Sequence, residues 1–347
     1  MAPLRILIVE DSVMVRKRLT DVFTGDPAFT VVGEAGDGER ALELCRRLRP
    51  DVVTLDLMLP GLNGVEVTRR IMADCPTPIV IFSGMENRTM GLHLLDALSA
   101  GAVDAVEKPT RFITSGEWAV ELLSRVKQAA RIPSATTAAA GPLAASEPPR
   151  PQPPRVVAMG ASTGGPAAMK DILGRLSPDF PLPILLVMHL SEKFEASMVE
   201  WLGKGSAIAV RHAVDGEPLP VPGRPVLLMA RANRHLVLRD GRLRLVDGPE
   251  RHSSRPSVDV LFESVAKDMG PNAVGCLLTG MGRDGAEGLN AMKRSGAMTL
   301  AQDEDSSVVF GMPREAIRLG AARHVLSLRD IPSWLDGLAR HRQTSQA

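Results

Sequence analysis

Aromatic residues are scarce in this sequence of 347 residues: tyrosine is absent, and there are only 3 tryptophans and 8 phenylalanines. A surface that stacks bases or sugars on several aromatic rings is therefore not expected. Net charge is also nearly absent, because 41 Lys and Arg residues oppose 40 Asp and Glu residues. This balance argues against a strongly basic nucleic-acid-binding protein and against a chain kept disordered by its charge.

Cysteines are few and long apolar runs are missing. Cys45, Cys75 and Cys276 are far apart and form no CxxC motif, so we expect buried, reduced thiols and no zinc site. No stretch approaches the roughly 18 consecutive apolar residues of a membrane span. The apolar run at 6–9 is too short for the core of a signal peptide. These features predict a cytoplasmic protein that does not insert into a membrane.

One segment differs in composition from the rest of the chain. Residues 131–155 are rich in Ala, Pro and Ser and have almost no large apolar side chains, so they cannot bury a core. We predict a flexible linker here, between an N-terminal domain at 1–130 and a C-terminal domain at 156–347, both of ordinary domain size.

The N-terminal domain alternates short apolar runs with amphipathic stretches. Five predicted strands, each followed by a predicted helix, lie at 5–9, 30–34, 52–56, 78–82 and 102–106. Five βα units in succession predict a doubly wound, flavodoxin-like α/β fold with a five-stranded parallel sheet. Such sheets bind their ligands at the carboxyl ends of the strands.

Polar side chains stand at those ends. Glu10 and Asp11 follow the first strand, Asp56 ends the third, Ser83 follows the fourth and Lys108 follows the fifth. Taken singly, each of these residues is explained as an ordinary turn or cap residue. Together, three carboxylates at one edge would repel one another unless a cation lay among them, and oxygen ligands of this kind suit Mg²⁺. The serine and lysine could then contact a bound phosphoryl group.

Over residues 4–128 this pattern resembles the receiver domains of bacterial response regulators. The resemblance implies that Asp56 accepts a phosphoryl group from a histidine kinase and that Ser83 and Lys108 sense it. The Mg²⁺ ligands that it implies are Glu10, Asp11, Asp56 and the backbone carbonyl of Met58.

The C-terminal domain has no helix-turn-helix and no basic stripe, which would mark a DNA-binding output domain. Its alternating pattern predicts a second doubly wound α/β domain with a mostly parallel sheet. A strand at 155–160 runs into Gly160-Ala-Ser162-Thr-Gly164, which fits the G-x-S-x-G expression of a nucleophile elbow. Small residues allow a sharp turn that exposes the serine hydroxyl. Alone, such a turn is more often structural or a phosphate cradle.

Two further predicted strands of this domain lead to candidate catalytic residues. One ends at His189, and another is followed closely by Asp284. Taken alone, His189 is interpreted as a structural histidine, and Asp284 with Glu287 as a cap at the start of a helix. Because an open α/β sheet places its active site at strand ends, we predict that Ser162 attacks, His189 transfers the proton and Asp284 orients the imidazole. The order Ser, His, Asp differs from that of the α/β-hydrolases, so another fold is expected.

From about residue 156 to 328 the domain resembles the chemotaxis protein-glutamate methylesterases, the CheB family. Four stretches carry the resemblance: GASTGGP at 160–166, HSSRPSVDVLF at 252–262, LLTGMGRDGAEGL at 277–289 and AQDEDSSVVFGMP at 301–313. A receiver, a linker and this domain in this order match the family's architecture. The family's catalytic residues fall on Ser162, His189 and Asp284. Its orienting threonine and its backbone oxyanion donor fall on Thr163 and Met281.

The resemblance implies hydrolysis of γ-glutamyl methyl esters on the cytoplasmic helices of chemoreceptors, with release of methanol, and deamidation of receptor glutamines. It implies the receptors and a chemotaxis histidine kinase as partners, Mg²⁺ for phosphorylation, and no cofactor for hydrolysis. The segment 230–235 departs from the family's A-P-G-x-x-H pattern, and three single positions depart as well. Glu10 stands where Asp is commoner, Ala105 where the receiver has a switch aromatic, and Met188 where Gln usually precedes the catalytic histidine.

The sequence also leads to an expectation about regulation and leaves two other classes of function open. The two-domain layout together with the CheB resemblance implies a receiver that covers the Ser162 cleft until phosphorylation of Asp56 weakens the docking. A catalytically silent adaptor that competes for phosphoryl groups is the first alternative. A nucleotide-binding protein using residues 160–165 is the weaker one, because the turn lacks G-x-G-x-x-G spacing and a following lysine.

Overall fold

The computed structural model describes residues 2–84, 88–109, 116–131, 154–189 and 192–344. The chain divides into two compact units, Met1–Thr137 and Ala138–Ala347. Most of the predicted linker, residues 132–153, lies outside the described residues. None of the described helices combines the length and the apolar character that a membrane crossing requires.

Strands and helices alternate throughout the first unit. The bounds of the strands differ by no more than about two residues from the predicted ones. The elements are β1 (Leu4–Val9), α1 (Val13–Thr24), β2 (Phe29–Ala35), α2 (Gly38–Leu48), β3 (Val52–Leu55), α3 (Gly64–Asp74), β4 (Ile79–Ser83), α4 (Arg88–Ser99), β5 (Asp104–Glu107) and α5 (Glu117–Ala129).

These five strands form one parallel sheet in the order β2-β1-β3-β4-β5, which is the flavodoxin-like order. The prediction of fold class is therefore confirmed for this unit. Residues 6–9 of β1 are completely buried, because helices cover both faces of the sheet. Helix α1 begins after Ser12, whose hydroxyl accepts a hydrogen bond from the Val15 amide and so caps the helix beside the carboxyl end of β1.

The second unit is also α/β. It contains β6 (Val156–Ala161), α6 (Gly165–Arg175), β7 (Ile184–Met188), α7 (Glu192–Gly203), β8 (Ala209–His212), β9 (Val226–Met229), β10 (His235–Arg239), β11 (Arg242–Val246), α8 (Val258–Met269), β12 (Ala273–Leu277), α9 (Ala286–Arg294), β13 (Met298–Gln302), α10 (Met312–Arg318), β14 (His324–Leu326) and α11 (Ile331–Thr344).

Seven of these strands form a sheet in the order β14-β13-β12-β6-β7-β9-β8. All of its strand pairs are parallel, which confirms the predicted doubly wound sheet, while β10 and β11 form a separate antiparallel hairpin. From β6 the chain proceeds to β7 on one side and returns later to β12 on the other. The carboxyl ends of these three neighbouring strands therefore border a topological switch point, where such sheets bind ligands.

Helix α8 packs over this switch point through a single apolar stripe. Val258, Leu261, Phe262 and Val265 recur at the helical spacing i, i+3, i+4 and i+7, and all four are fully buried. The first turn of α8 lies over β6, since a Cβ atom added at Gly160 would stand only 2.1 Å from Val258 Cγ1. The stripe thereby brings the amino terminus of the helix to the carboxyl edge of the sheet.

Candidate functional site

In the first unit, the predicted phosphorylation site is assembled around the buried carboxylate of Asp56. Ser83 Oγ donates a hydrogen bond of 2.8 Å to Asp56 Oδ1, and the Met58 amide donates one of 3.2 Å to the same oxygen. Lys108 Nζ lies 2.6 Å from Asp56 Oδ2. The structure therefore brings together Asp56, Ser83 and Lys108, which lie at the ends of three different strands.

Glu10 completes this pocket and accounts for its electrostatics. Lys108 Nζ also lies 2.7 Å from Glu10 Oε2, so one ammonium group bridges two buried carboxylates. Burial, opposed by the hydrogen bond and charge of Lys108, raises the pKa of Glu10 to about 7. Oxygens of Glu10, Asp11 and Asp56 lie within 4.8 Å of one another. A group of carboxylates with this spacing fits a hard divalent cation such as Mg²⁺.

In the second unit, Ser162 lies on a sharp turn between β6 and α6. Its amide donates to the Thr279 carbonyl at 3.0 Å, and its carbonyl accepts from the Gly165 amide at 2.7 Å. Gly164 has a φ of +78°, and a Cβ atom there would stand 2.5 Å from Val308 Cβ, so only glycine fits. The strand, turn and helix that the G-x-S-x-G pattern predicts are thus present.

The strand register places His189 beside this turn. Ala161 of β6 pairs with Met188 of β7, so Ser162 and His189 leave neighbouring strands at the same level. The His189 amide donates to the Ala161 carbonyl at 3.2 Å. Within the described residues, no hydrogen bond joins the hydroxyl of Ser162 or Thr163 to the imidazole, and such contacts commonly tighten only when substrate binds.

The imidazole of His189 is instead held by Asp284. Nε2 of His189 lies 2.8 Å from Asp284 Oδ2. Asp284 belongs to the loop between β12 and α9. The N-cap residue of α9 is the next residue, Gly285, and no side chain caps this helix. The alternative reading of Asp284 as a helix cap is therefore wrong. The predicted histidine–aspartate pair is present, with Nδ1 as the ring nitrogen left for a proton transfer.

Asp284 is buried and accepts three more hydrogen bonds from the amino terminus of α8. Ser257 Oγ donates to it at 2.7 Å, and the amides of Val258 and Asp259 donate at 2.7 and 3.0 Å. Burial acts to raise the pKa of Asp284, but the His189 hydrogen bond and charge, with those donors, outweigh it and the pKa is lowered. A helix terminus favours a negative charge in the same way.

Sequence reasoning missed the part played by Ser257 and α8. The signal lay within the stretch HSSRPSVDVLF, where Ser257 precedes an apolar helical stripe and caps it by accepting from the Val260 amide. Nothing in that local pattern relates the helix start to Asp284, which is 27 residues further along the chain. The contact arises only from the packing of α8 on the sheet.

A second histidine–aspartate pair stands behind Asp284. His252, Asp259 and Asp284 each have a possible metal-ligand atom within 4.8 Å of the others. However, the oxygens of Asp259 face the Gly288 amide at 2.6 Å and His252 Nε2 at 3.1 Å. Because these carboxylates already accept N–H groups, the cluster is a hydrogen-bond network that supports the loop around Asp284.

The remaining predicted site residues border the same loop and turn. Thr163 follows Ser162 and is half-buried, and Met281 lies in the loop after β12 with 46% of its surface exposed. The role of the Met281 amide as an oxyanion donor stays a prediction. The three cysteines are buried and free, as predicted.

Comparisons with known proteins cover almost the whole chain. Residues 157–335 match the family described as CheB methylesterase, and residues 6–114 match the response regulator receiver domain. The protein-glutamate methylesterase/protein-glutamine glutaminase 2 of Anaeromyxobacter dehalogenans (strain 2CP-C) is 42% identical over 339 residues, which cover 97% of this chain and 98% of that protein.

Two further relatives agree with these matches. The protein-glutamate methylesterase/protein-glutamine glutaminase of Nitrosospira multiformis is 42% identical over 349 residues, or 98% of each chain. The crystal structure of the Thermotoga maritima CheB methylesterase catalytic domain aligns with a TM-score of 0.51 and 34% identity, covering 53% of this chain and 98% of that one. Identity at this level over nearly the full length shows that the chain belongs to the CheB methylesterase family, with a response regulator receiver domain ahead of its methylesterase domain.

Proposed function

We propose that the chain hydrolyses γ-glutamyl methyl esters on the cytoplasmic helices of chemoreceptors, and that Ser162, His189 and Asp284 carry out the reaction. The observation that carries this proposal is the 2.8 Å contact between His189 Nε2 and Asp284 Oδ2 beside the Ser162 turn. Family membership supplies the substrate class, since the relatives are named for glutamate methyl esters and glutamine.

In the first half of the reaction, Ser162 Oγ attacks the ester carbonyl while His189 Nδ1 accepts the hydroxyl proton. Asp284 stabilises the imidazolium through Nε2, and the Met281 amide donates to the developing oxyanion. Collapse of the tetrahedral species breaks the bond to methoxide, which takes the proton from His189 and leaves as methanol. The product of this half is an acyl ester of Ser162.

In the second half, His189 removes a proton from water, the hydroxide attacks the acyl ester, and Ser162 recovers its proton as glutamate is released. The same sequence applied to a glutamine side chain releases ammonia in place of methanol. Thr163, next to the nucleophile, is proposed to orient the imidazole once substrate closes the site. General acid–base catalysis of this kind contributes about 10²–10⁴-fold.

The receiver is proposed to regulate this reaction in the cytoplasm, with Asp56 accepting a phosphoryl group from a histidine kinase. The residues that would hold Mg²⁺ are Glu10, Asp11, Asp56 and the carbonyl of Met58. When bound, the cation supplies positive charge that offsets the phosphoryl oxygens. Ser83 and Lys108, which already contact the Asp56 carboxylate, would then bind the phosphoryl oxygens. The resulting change in the receiver relieves inhibition of the methylesterase domain.

The test is release of labelled methanol from receptors that carry methyl-labelled glutamates. Wild-type protein is expected to release methanol, and Ser162→Ala is expected to release none above the background of buffer. Ser333→Ala is a matched control, because Ser333 is exposed and its hydroxyl donates to the Asp330 carbonyl at the start of α11. Equal release by wild type and Ser162→Ala would refute the proposal, and absence of release by both would favour the silent adaptor.

A further inference from the structure

One buried side chain, Thr279, ties the Ser162 turn to the loop that follows β12. Thr279 is fully buried. Its hydroxyl donates to the Thr163 carbonyl at 2.9 Å and accepts a hydrogen bond of 2.9 Å from the Val309 amide. The hydroxyl therefore uses both its donor and an acceptor site on backbone groups of two other segments.

The backbone amide and carbonyl of Thr279 are also hydrogen-bonded. Its amide donates to Gln302 Oε1 at 2.9 Å, and its carbonyl accepts from the Ser162 amide at 3.0 Å. Gln302 is itself fully buried, and its Nε2 donates to the Ser306 carbonyl at 2.6 Å. Thr279 thus joins the nucleophile turn, the end of β13 and the segment around Val309 in one network.

This network fixes the orientation of the peptide between Thr163 and Gly164. In a trans peptide the C=O and N–H groups point in opposite directions. Because the Thr163 carbonyl is held by the Thr279 hydroxyl, the direction of the Gly164 amide is set as well. Ser162 is consequently restrained on both sides, by the Thr279 carbonyl before it and by the Thr279 hydroxyl after it.

The same network extends to the residue before the proposed oxyanion donor. Met281 is two residues after Thr279, and the intervening Gly280 amide donates to the Val309 carbonyl at 3.0 Å. A shift of Thr279 would therefore change the distance between the Ser162 oxygen and the Met281 amide. Attack and oxyanion stabilisation both require that distance to be kept within a fraction of an ångström.

We propose that Thr279 is a positioning residue for ester hydrolysis, acting through the backbone of Thr163 and Met281. This inference rests on the proposed function, because it concerns the same reaction. It predicts that loss of the hydroxyl lowers kcat and leaves KM unchanged, since substrate contacts are not removed. A misplacement on the order of 1 Å costs about 10²-fold in rate.

The experiment compares Thr279→Val, which keeps the shape and removes the hydroxyl, with Thr279→Ser, which keeps the hydroxyl. Thr299→Val is the matched control. Thr299 is also fully buried, and its hydroxyl donates to the Ala321 carbonyl at 2.7 Å and accepts from the Arg323 amide at 3.2 Å, away from the Ser162 turn. For each protein, Tm, kcat and KM of methanol release from methyl-labelled receptors are measured.

Thr279→Val and Thr299→Val are expected to lower Tm similarly, while only Thr279→Val lowers kcat by about 10²-fold. Thr279→Ser should retain most of the wild-type kcat. Equal kcat for the two valine variants would overturn the inference. If Thr279→Val does not fold, Thr279→Cys and Thr299→Cys are compared in its place, because a thiol is a weaker hydrogen-bonding group. A folded wild type that releases no methanol would instead refute the proposed function, and this inference with it.

Discussion

His189 Nε2 lies 2.8 Å from Asp284 Oδ2, although 95 residues separate the two along the chain. In the serine protease arrangement the aspartate contacts Nδ1 and the serine faces Nε2. Here the aspartate contacts Nε2. The two ring nitrogens therefore exchange roles, and Nδ1 is the candidate base. The carboxylate that holds this tautomer is itself held by the amino terminus of α8.

Replacing Asp284 with asparagine is expected to lower kcat for methanol release by about 10⁴-fold, the cost of losing the orienting carboxylate in a serine triad. The asparagine amide cannot accept all the hydrogen bonds that Ser257, Val258 and Asp259 direct at this position. Asp268→Asn is the control, because that carboxylate accepts from the Asp240 and Gly241 amides at 2.7 and 3.0 Å, in a different part of the unit. Comparable rates for the two variants would contradict the assignment.

The lowered pKa of Asp284 also predicts a pH dependence of stability. The unfolded chain binds a proton at this carboxyl near the ordinary value of 3.8, whereas the folded protein binds it only at lower pH. The stabilisation is therefore present above pH 3.8 and is lost as pH falls through the folded pKa. In urea unfolding, the free energy of unfolding of wild type should exceed that of Asp284→Asn by less and less as the pH is lowered through this range. If the difference in unfolding free energy stayed constant down to the lowest pH at which both proteins fold, the carboxylate charge would not contribute to stability.

In the receiver, Glu10→Gln is expected to weaken Mg²⁺ binding, because a neutral amide replaces one of the three carboxylates whose oxygens lie within 4.8 Å of one another. Isothermal titration calorimetry with MgCl₂ measures the affinity directly. Glu39→Gln serves as the control, since 75% of the Glu39 side chain is exposed and it forms an ion pair with Arg70, outside the Asp56 pocket. Unchanged affinity in Glu10→Gln would remove Glu10 from the ligand set.

Phosphorylation is expected to raise methanol release, through Asp56. Coupling of this kind is commonly about 5–150-fold. Acetyl phosphate with Mg²⁺ should activate the wild type and leave Asp56→Asn at the basal rate. Asp26→Asn, which loses a 2.6 Å contact with Lys127 elsewhere in the receiver, should respond like the wild type. Identical rates for wild type with and without the phosphoryl donor, at measured phosphorylation of Asp56, would exclude regulation through this residue.

Gly160→Ala is expected to destabilise the methylesterase domain by about 1–3 kcal/mol, the usual cost of overpacking a core. The added Cβ would lie 2.1 Å from Val258 Cγ1, so Val258→Ala in the same chain should recover part of the loss. Gly174→Ala in α6 meets nothing within 4 Å and should stabilise by about 0.5–1 kcal/mol. Chemical denaturation measures wild type, Gly160→Ala, Val258→Ala, the double variant and Gly174→Ala. Additive effects of Gly160→Ala and Val258→Ala would contradict the packing of α8 on β6.

Much of the receiver could be predicted from local sequence. Its central strands β1, β3 and β4 are short apolar runs that are largely buried, and its site residues lie at strand ends that meet at one sheet edge. The direct contacts of Ser83 and Lys108 with Asp56 confirm that spatial expectation. What local sequence could not show is that Lys108 bridges Glu10 and Asp56, because a distance between side chains depends on how three strands are aligned.

The methylesterase site was less accessible to prediction. Ser162, His189 and Asp284 were found from strand ends and from resemblance, while Ser257 and Thr279 were not assigned a role. Both make hydrogen bonds to distant segments, and the local sequence offers an ordinary explanation for each: Ser257 caps α8, and Thr279 is a buried residue just after β12. Such partners have no periodicity that a sequence pattern can reveal.

The order of residues along this chain already determined two α/β domains, the strand ends that carry the acidic and nucleophilic side chains, and the family to which they belong. These properties follow from hydrophobic periodicity and from short motifs, which act over a few residues. Tertiary structure alone decided which nitrogen of His189 meets Asp284, which helix terminus holds that carboxylate and how Thr279 joins the loops. Those contacts depend on strand register and on the seating of α8 over Gly160, and both are set by packing of the whole domain.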